Sequence, residues 1–86
     1  MNRKTNVLFV YPKYPDGQRE VLALFPKELY DEALYGKEQI VCYMHVGQHG
    51  SARRSFLKRA RATKEQYRAL AQELRSIGYK LNILNR

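Results

Sequence analysis

Tryptophan is absent from these 86 residues, cysteine occurs once, and no apolar run is longer than five residues. Each shortage excludes something. A single cysteine, Cys42, cannot close an internal disulfide, which suits a reducing cytoplasm. Runs as short as "VLFVY" and "VLALF" cannot cross a bilayer as a helix, which takes about 20 apolar residues. The start "MNRKTN" is basic but leads into no extended apolar region and no small-residue cleavage site, so no secretory signal is expected. The chain has no nucleophile elbow, no P-loop and no dinucleotide fingerprint, which removes the commonest signatures of hydrolases, NTPases and nicotinamide enzymes. Acidic residues are scarce in one half only. Residues 44–86 hold Glu65 and Glu73 against ten Lys and Arg, whereas residues 1–43 hold six of each sign.

What remains is one small domain spanning residues 1–86. A hydrophobic fraction of 44% and an aromatic fraction of 12% are ample for a folded core and argue against disorder. A chain this short buries only about 60% of its unfolded surface, so its stability margin is thin. The whole net charge of +8 sits in the second half. That asymmetry favours an anionic partner, either nucleic acid or an acidic protein surface.

Periodicity and turn chemistry outline the elements. "NVLFVY" (residues 6–11) is β-branched and aromatic, and Pro12 and Pro15 close it, so it reads as a strand. "YPDGQ" has reverse-turn chemistry, with Gly17 free to take a positive φ. Residues 19–25 then read as a second strand completing a hairpin, which Pro26 should end. Residues 27–38 read equally as a helix with Leu29, Tyr30, Ala33 and Leu34 on one face and Gly36 capping its end, or as a loop with one helical turn. "IVCYMHV" (residues 40–46) is a third strand, with Ile40, Cys42, Met44 and Val46 on one face and Val41, Tyr43 and His45 on the other. The best-marked element is a helix. Thr63 and Gln66 form a capping box, Tyr67, Leu70, Ala71, Leu74 and Ile77 follow a 3.6 period, and Gly78 stands at the C-terminal stop. "YKLNIL" then alternates as a half-exposed final strand.

The expected fold is therefore α+β, in the order β-β-(loop)-β-α-β: a mostly antiparallel four-stranded sheet with one main helix packed on it. The first three strands are apolar on both faces, yet one helix covers only one. Residues 27–38, residues 51–60 or a second copy of the chain must cover the other.

The spaced string "YPDGQ…VLALFP…CYMHVGQHG…RATKEQYRALAQELRSIGYKL" resembles a group of small proteins from bacterial phages and conjugative elements. In that group a "DG…ALFP" hairpin precedes a "HVGQHG"-like turn and a "T-x-E-x-Y…L…L…IGY" helix. The resemblance covers most of the chain, and the His-Gly turn is its most distinctive part. It implies a mobile-element origin and a bacterial cytoplasm, and it brings no activity and no catalytic residue. The chain departs from the group in the basic density of "ARRSFLKRAR".

Three stretches are candidate sites. The first is the run Arg53, Arg54, Lys58, Arg59, Arg61 and Lys64, which would neutralise phosphates and release condensed counterions. It continues into the helix, where Lys64, Arg68 and Arg75 share one row with Ala71. A helix N-terminus at Thr63 would add to an anion site there. The plainer alternative is a solvated connection pinned to the core by Phe56 and Leu57. The second is the turn formed by His45, Gly47, His49, Gly50 and Ser51, whose glycines could aim backbone N–H groups at an anion. A plain turn with backbone-bonded histidines is the competing reading. The third is a C-x2-H-x3-H spacing at Cys42, His45 and His49. On a strand Cys42 and His45 point to opposite faces, and no fourth ligand is nearby, so no metal and no cofactor are expected. Ser51 with either histidine is not enough for catalysis, since geometry decides such trios. Tyr11 and Tyr14, near Lys13 and Arg19, are the tyrosines best placed to stack on bases.

The sequence lacks the aromatic signature of RRM sheets and a zinc-finger pattern, so any nucleic-acid contact should be backbone-led and weakly sequence-specific. It points to a small non-enzymatic cytoplasmic binding protein of a bacterial mobile element, with no membrane role. The alternative is a protein-interaction module, homodimeric in one version, whose positive surface steers an acidic partner.

Overall fold

The computed structural model describes residues 4–44 and 48–84. Strand β1, Thr5–Val10, alternates between two apolar surfaces, with Val7 and Phe9 on one and Leu8 and Val10 on the other. Strand β2, Leu22–Leu29, pairs antiparallel with it in the register Leu8↔Leu24, Phe9↔Ala23 and Val10↔Leu22. The intervening loop is closed as the Pro-Asp-Gly chemistry predicts. Gly17 N–H donates to the Tyr14 carbonyl, Gln18 N–H donates to Asp16 Oδ1, and Gly17 sits at φ 87°.

Two boundaries differ from expectation. The second strand begins at Leu22 because Arg19 makes only an isolated bridge to Lys13 and the chain through Glu20 stays exposed. Nor does Pro26 end it. The β2–β3 register shifts between Phe25 and Leu29, and past Leu24 the strand no longer faces β1, so proline's missing N–H goes unneeded. Residues 32–35 then form the four-residue helix α1 (Glu32–Tyr35), with no buried residue, so the helix covers neither face, and from residues 27–38 it is Leu29, within β2, that packs on the face carrying Leu8 and Val10.

Strand β3, Gln39–Met44, pairs with β2 and, on its far side, with β4, Gln48–Arg53. Strand β4 is the main correction to the expected four-stranded sheet. "QHGSAR" has no β-branched residue, yet it matches β3 residue for residue from Gln39↔Arg53 to Met44↔Gln48. The sheet is five-stranded and mixed, in the order β4-β3-β2-β1-β5, with β5 (Leu81–Ile83) parallel to β1.

The main helix, α2 (Lys64–Ser76), starts at Thr63 with both halves of the capping box formed. Gln66 N–H donates to Thr63 Oγ1 at 3.2 Å, and Thr63 N–H donates to Gln66 Oε1 at 2.7 Å. Leu70, Ala71 and Leu74 are buried against Val7, Phe9, Ala23, Phe25 and Tyr43. Stacked rings reinforce this layer, Phe9 on Tyr67 at 4.5 Å and Phe25 on Tyr79 at 5.3 Å. Ile77, expected in the apolar stripe, instead ends the helix and is 53% exposed. Gly78, at φ 112°, turns the chain there.

Residues 51–60 provide the cover for the opposite face. After β4 the chain forms a 3-10 helix, Arg54–Lys58, and its Phe56 and Leu57 pack on Leu8, Val10, Leu22, Leu24, Ile40, Cys42 and Ala52. The sheet thus carries an apolar layer on each side, the thicker one under α2. Among the described residues, no helix is long and apolar enough to cross a membrane.

Candidate nucleic-acid interface

The basic run is divided by the sheet. Arg53 ends β4 opposite Gln39, the first residue of β3, and Arg54 N–H donates to the Glu38 carbonyl at 2.8 Å. The Arg54 Nε also donates to the Lys37 carbonyl at 2.8 Å, which ties that side chain to the backbone. Both residues therefore lie at the start of β3. The 3-10 helix then crosses the opposite face and delivers the rest of the run to the other end. There Tyr11 N–H donates to the Ala60 carbonyl at 2.7 Å, Arg61 bridges Val10, and Ala62 N–H donates to the Phe9 carbonyl at 3.0 Å. Because β1 and β3 run parallel across β2, the end of β1 and the start of β3 lie at opposite ends of the sheet. Arg53 and Arg54 are thus separated from Arg59, Arg61 and Lys64.

Within the second group the side chains are partly ordered. The Arg61 Nη1 donates to the carbonyls of Leu57 and Arg59, both at 2.8 Å, completing the end of the 3-10 helix. Its Nε and Nη2 donors stay available, since a guanidinium carries five N–H groups. The Arg59 guanidinium lies 5.1 Å from the Phe56 ring centroid. Lys58, Arg59, Arg61 and Lys64 are all exposed.

The β1–β2 loop sits beside this group through the Tyr11–Ala60 bond and adds Lys13 and Arg19, the latter 5.3 Å from the Tyr11 ring centroid. Asp16 and Glu20 lie in the same loop and offset those two charges. Tyr11 and Tyr14 are both half-buried. Burial raises the Tyr14 pKa first, with Glu20 and Cys42 adding to it.

Lys64, Arg68 and Arg75 are exposed, but Ala71 in the same row is only 2% exposed. The row therefore follows the margin where α2 meets the sheet. At the helix N-terminus the capping box already engages the N–H groups of Thr63 and Gln66, leaving fewer donors for an anion.

Of the turn residues, His45 and Gly47 lie outside the described residues. His49, Gly50 and Ser51 belong to β4. Nε2 of His49 lies 2.8 Å from the Tyr79 hydroxyl, and its ring meets Tyr43 edge-on at 4.8 Å. The Tyr43 hydroxyl donates to Glu73 Oε2, and that bond raises the Tyr43 pKa, with burial adding to it. These contacts join the end of β3 and the start of β4 to α2 and the segment after it. The two hydrogen bonds each link residues 30 apart, so no local spacing signals them. Cys42 is buried, and burial pushes its thiol pKa up, opposed by the Gly50 N–H. Among the described residues no three His, Cys, Asp or Glu are grouped to hold a metal.

Fold and surface together define a small mixed α+β protein with one cationic sheet end. Compared with protein-family models, with curated proteins and with solved structures, the chain matches none.

Proposed function

We propose that this chain is a small non-enzymatic binding protein of a bacterial mobile element that grips nucleic-acid phosphates through Lys58, Arg59, Arg61 and Lys64. One observation carries the reading. Four exposed cations fall within seven residues of a connection whose backbone is tied at both ends, by Phe56 and Leu57 to the core and by Ala60–Ala62 to β1. A tethered connection loses little chain entropy on binding, so its Coulomb attraction is not spent on ordering. Among the described residues no flat aromatic platform accompanies the charges, so contacts go to phosphates and carry little sequence information. Arg68 adjoins the group along the helix margin, whereas Arg53, Arg54 and Arg75 stand outside it.

Purified protein tests this directly. It should carry co-eluting nucleic acid, read as a raised 260/280 nm absorbance ratio, which a high-salt wash removes. A clean ratio before the wash, with no retention on a duplex or single-stranded column at low salt, would falsify the proposal.

A further inference from the structure

The two edges of the sheet are unlike. On the β1 side, three-residue β5 and then residues 60–62 occupy the edge. On the other side β4 is the last strand; among the described residues its ladder partner is β3, and its His49 side chain reaches Tyr79 over one face. Natural edges are usually blunted by prolines, lysines, bulges or very short strands. β4 has none of these: it is six residues long, its register with β3 is unbroken, and its one fixed charge, Arg53, stands at its end.

The ladder shows which groups are unpaired. Arg54 N–H donates to the Glu38 carbonyl, so that pair is a hydrogen-bonded position. Such positions alternate in an antiparallel ladder. With the observed register, Gln48, Gly50 and Ala52 turn their backbone groups to β3, and His49, Ser51 and Arg53 turn theirs to the free side.

We infer that β4 is a homodimer interface, pairing antiparallel with β4 of a second copy about a two-fold axis at Ser51. In this register Ser51 faces Ser51, and His49 faces Arg53 of the second copy, so every outward-turned residue meets another outward-turned residue. On the opposite face, the small residues Gly50 and Ala52 become cross-strand neighbours and leave room for close approach. A parallel in-register pairing would instead stack Arg53 on Arg53, which is repulsive.

An apolar groove supports this choice. A cavity of about 430 Å³, lined by Leu22, Cys42, Met44, Ala52 and Phe56, runs along the opposite face and reaches β4. The two-fold pairing joins both grooves into one trough between the two 3-10 helices. Each copy carries a net charge of +8, so self-association is opposed at low salt and favoured by screening. This is opposite in sign to the salt dependence of phosphate binding.

Sedimentation equilibrium on nucleic-acid-free protein, in 50 and 500 mM salt, tests the interface. A strand-only contact is small, so the measurement extends to about 1 mM chain. The expected result is a species of twice the 10.2 kDa chain mass, more populated at high salt. Ser51→Pro removes a donor that faces away from β3, a position where edge prolines are tolerated, and should give a folded monomer. Ser51→Lys, which opposes two ammonium groups at the axis, should do the same without touching backbone bonding. Ser51→Cys should cross-link to a covalent dimer on oxidation, since Cys42 is buried, while the exposed control Leu34→Cys should not. A wild type that stays at 10.2 kDa to 1 mM in 500 mM salt overturns the inference. So does a Ser51→Pro or Ser51→Lys variant that dimerises as well as wild type, or a Ser51→Cys variant that cross-links no faster than the control.

Discussion

Salt dependence discriminates between a phosphate grip and general stickiness. For duplex DNA, log affinity falls with log salt at a slope of about −0.9 per neutralised phosphate. Counting by composition alone, the six cations of residues 53–64 would give a slope of about −5. Arg53 and Arg54 lie at the opposite end of the sheet, and Arg54 is tied to the Lys37 carbonyl, which leaves four. The expected slope is therefore about −3.6, or roughly a 150-fold loss of affinity between 50 and 200 mM salt. Replacing Lys58, Arg59 and Lys64 together by alanine leaves Arg61 alone in the group. The slope should fall to about −0.9, and the same salt step should cost only about 3–4-fold. Replacing Arg53 and Arg75 should leave the slope unchanged. Fluorescence anisotropy with a labelled 20-base-pair duplex measures all three. A flat wild-type slope refutes the reasoning, and so does a double variant that loses as much slope as the triple.

Three further outcomes follow from the fold. Thr63→Ala removes the hydroxyl half of the capping box and should cost about 1 kcal/mol, read as a lower urea midpoint at an unchanged m-value. Leu74→Ala, at a fully buried position between α2 and the sheet, should cost about 2–5 kcal/mol, enough to populate unfolded chains near 37 °C in so small a domain. The Tyr43 pKa is raised, chiefly by its bond to Glu73. Its neutral form therefore contributes stability that is fully present below the unfolded-chain value of about 10, and that is lost as pH rises through the folded value. Tyr43→Phe lacks this contribution, so its deficit in urea midpoint against wild type should shrink above pH 10. A deficit that stays constant with pH would show that the hydroxyl is unimportant.

How much was legible in the sequence depended on whether the signal was local. The helix announced itself because Thr63, Gln66 and the Tyr67–Leu74 stripe act within one segment, and Asp16-Gly17 marked the first hairpin for the same reason. β4 stayed hidden. His49, Gly50, Ser51, Ala52 and Arg53 carry no strand propensity, and only the unbroken ladder to β3 makes them a strand. Pro26 misled in the opposite direction, because a register shift and the absence of β1 alongside it remove the need for its N–H. For the candidate site, the clustering of cations was visible but its division was not. Which end of the sheet each charge reaches depends on the path of the 3-10 helix across the opposite face, set by Phe56 and Leu57. The side-chain hydrogen-bond partners of Tyr43 and His49 lie 30 residues away and left no trace in any local pattern.

The connection after β4 combines two tasks that can be separated experimentally. Its apolar residues close the opposite face of the sheet, while its cations face water. Two like charges about 8 Å apart in water repel by about 0.5 kcal/mol, less once screened by salt. Crowding four into seven residues therefore costs the folded state a little, and the contact of Arg59 with the Phe56 ring returns about 0.5–1 kcal/mol of it. These terms oppose one another, and between exposed side chains such terms are typically worth under about 1 kcal/mol each. The Lys58→Ala, Arg59→Ala, Lys64→Ala variant should then unfold within about 1 kcal/mol of wild type at low salt, even as its phosphate affinity collapses. A larger loss of stability would mean that the cations hold the connection in place, and weakened binding could then be a consequence of a disturbed fold. Equal stability with lost affinity would leave phosphate contact as the role of those side chains.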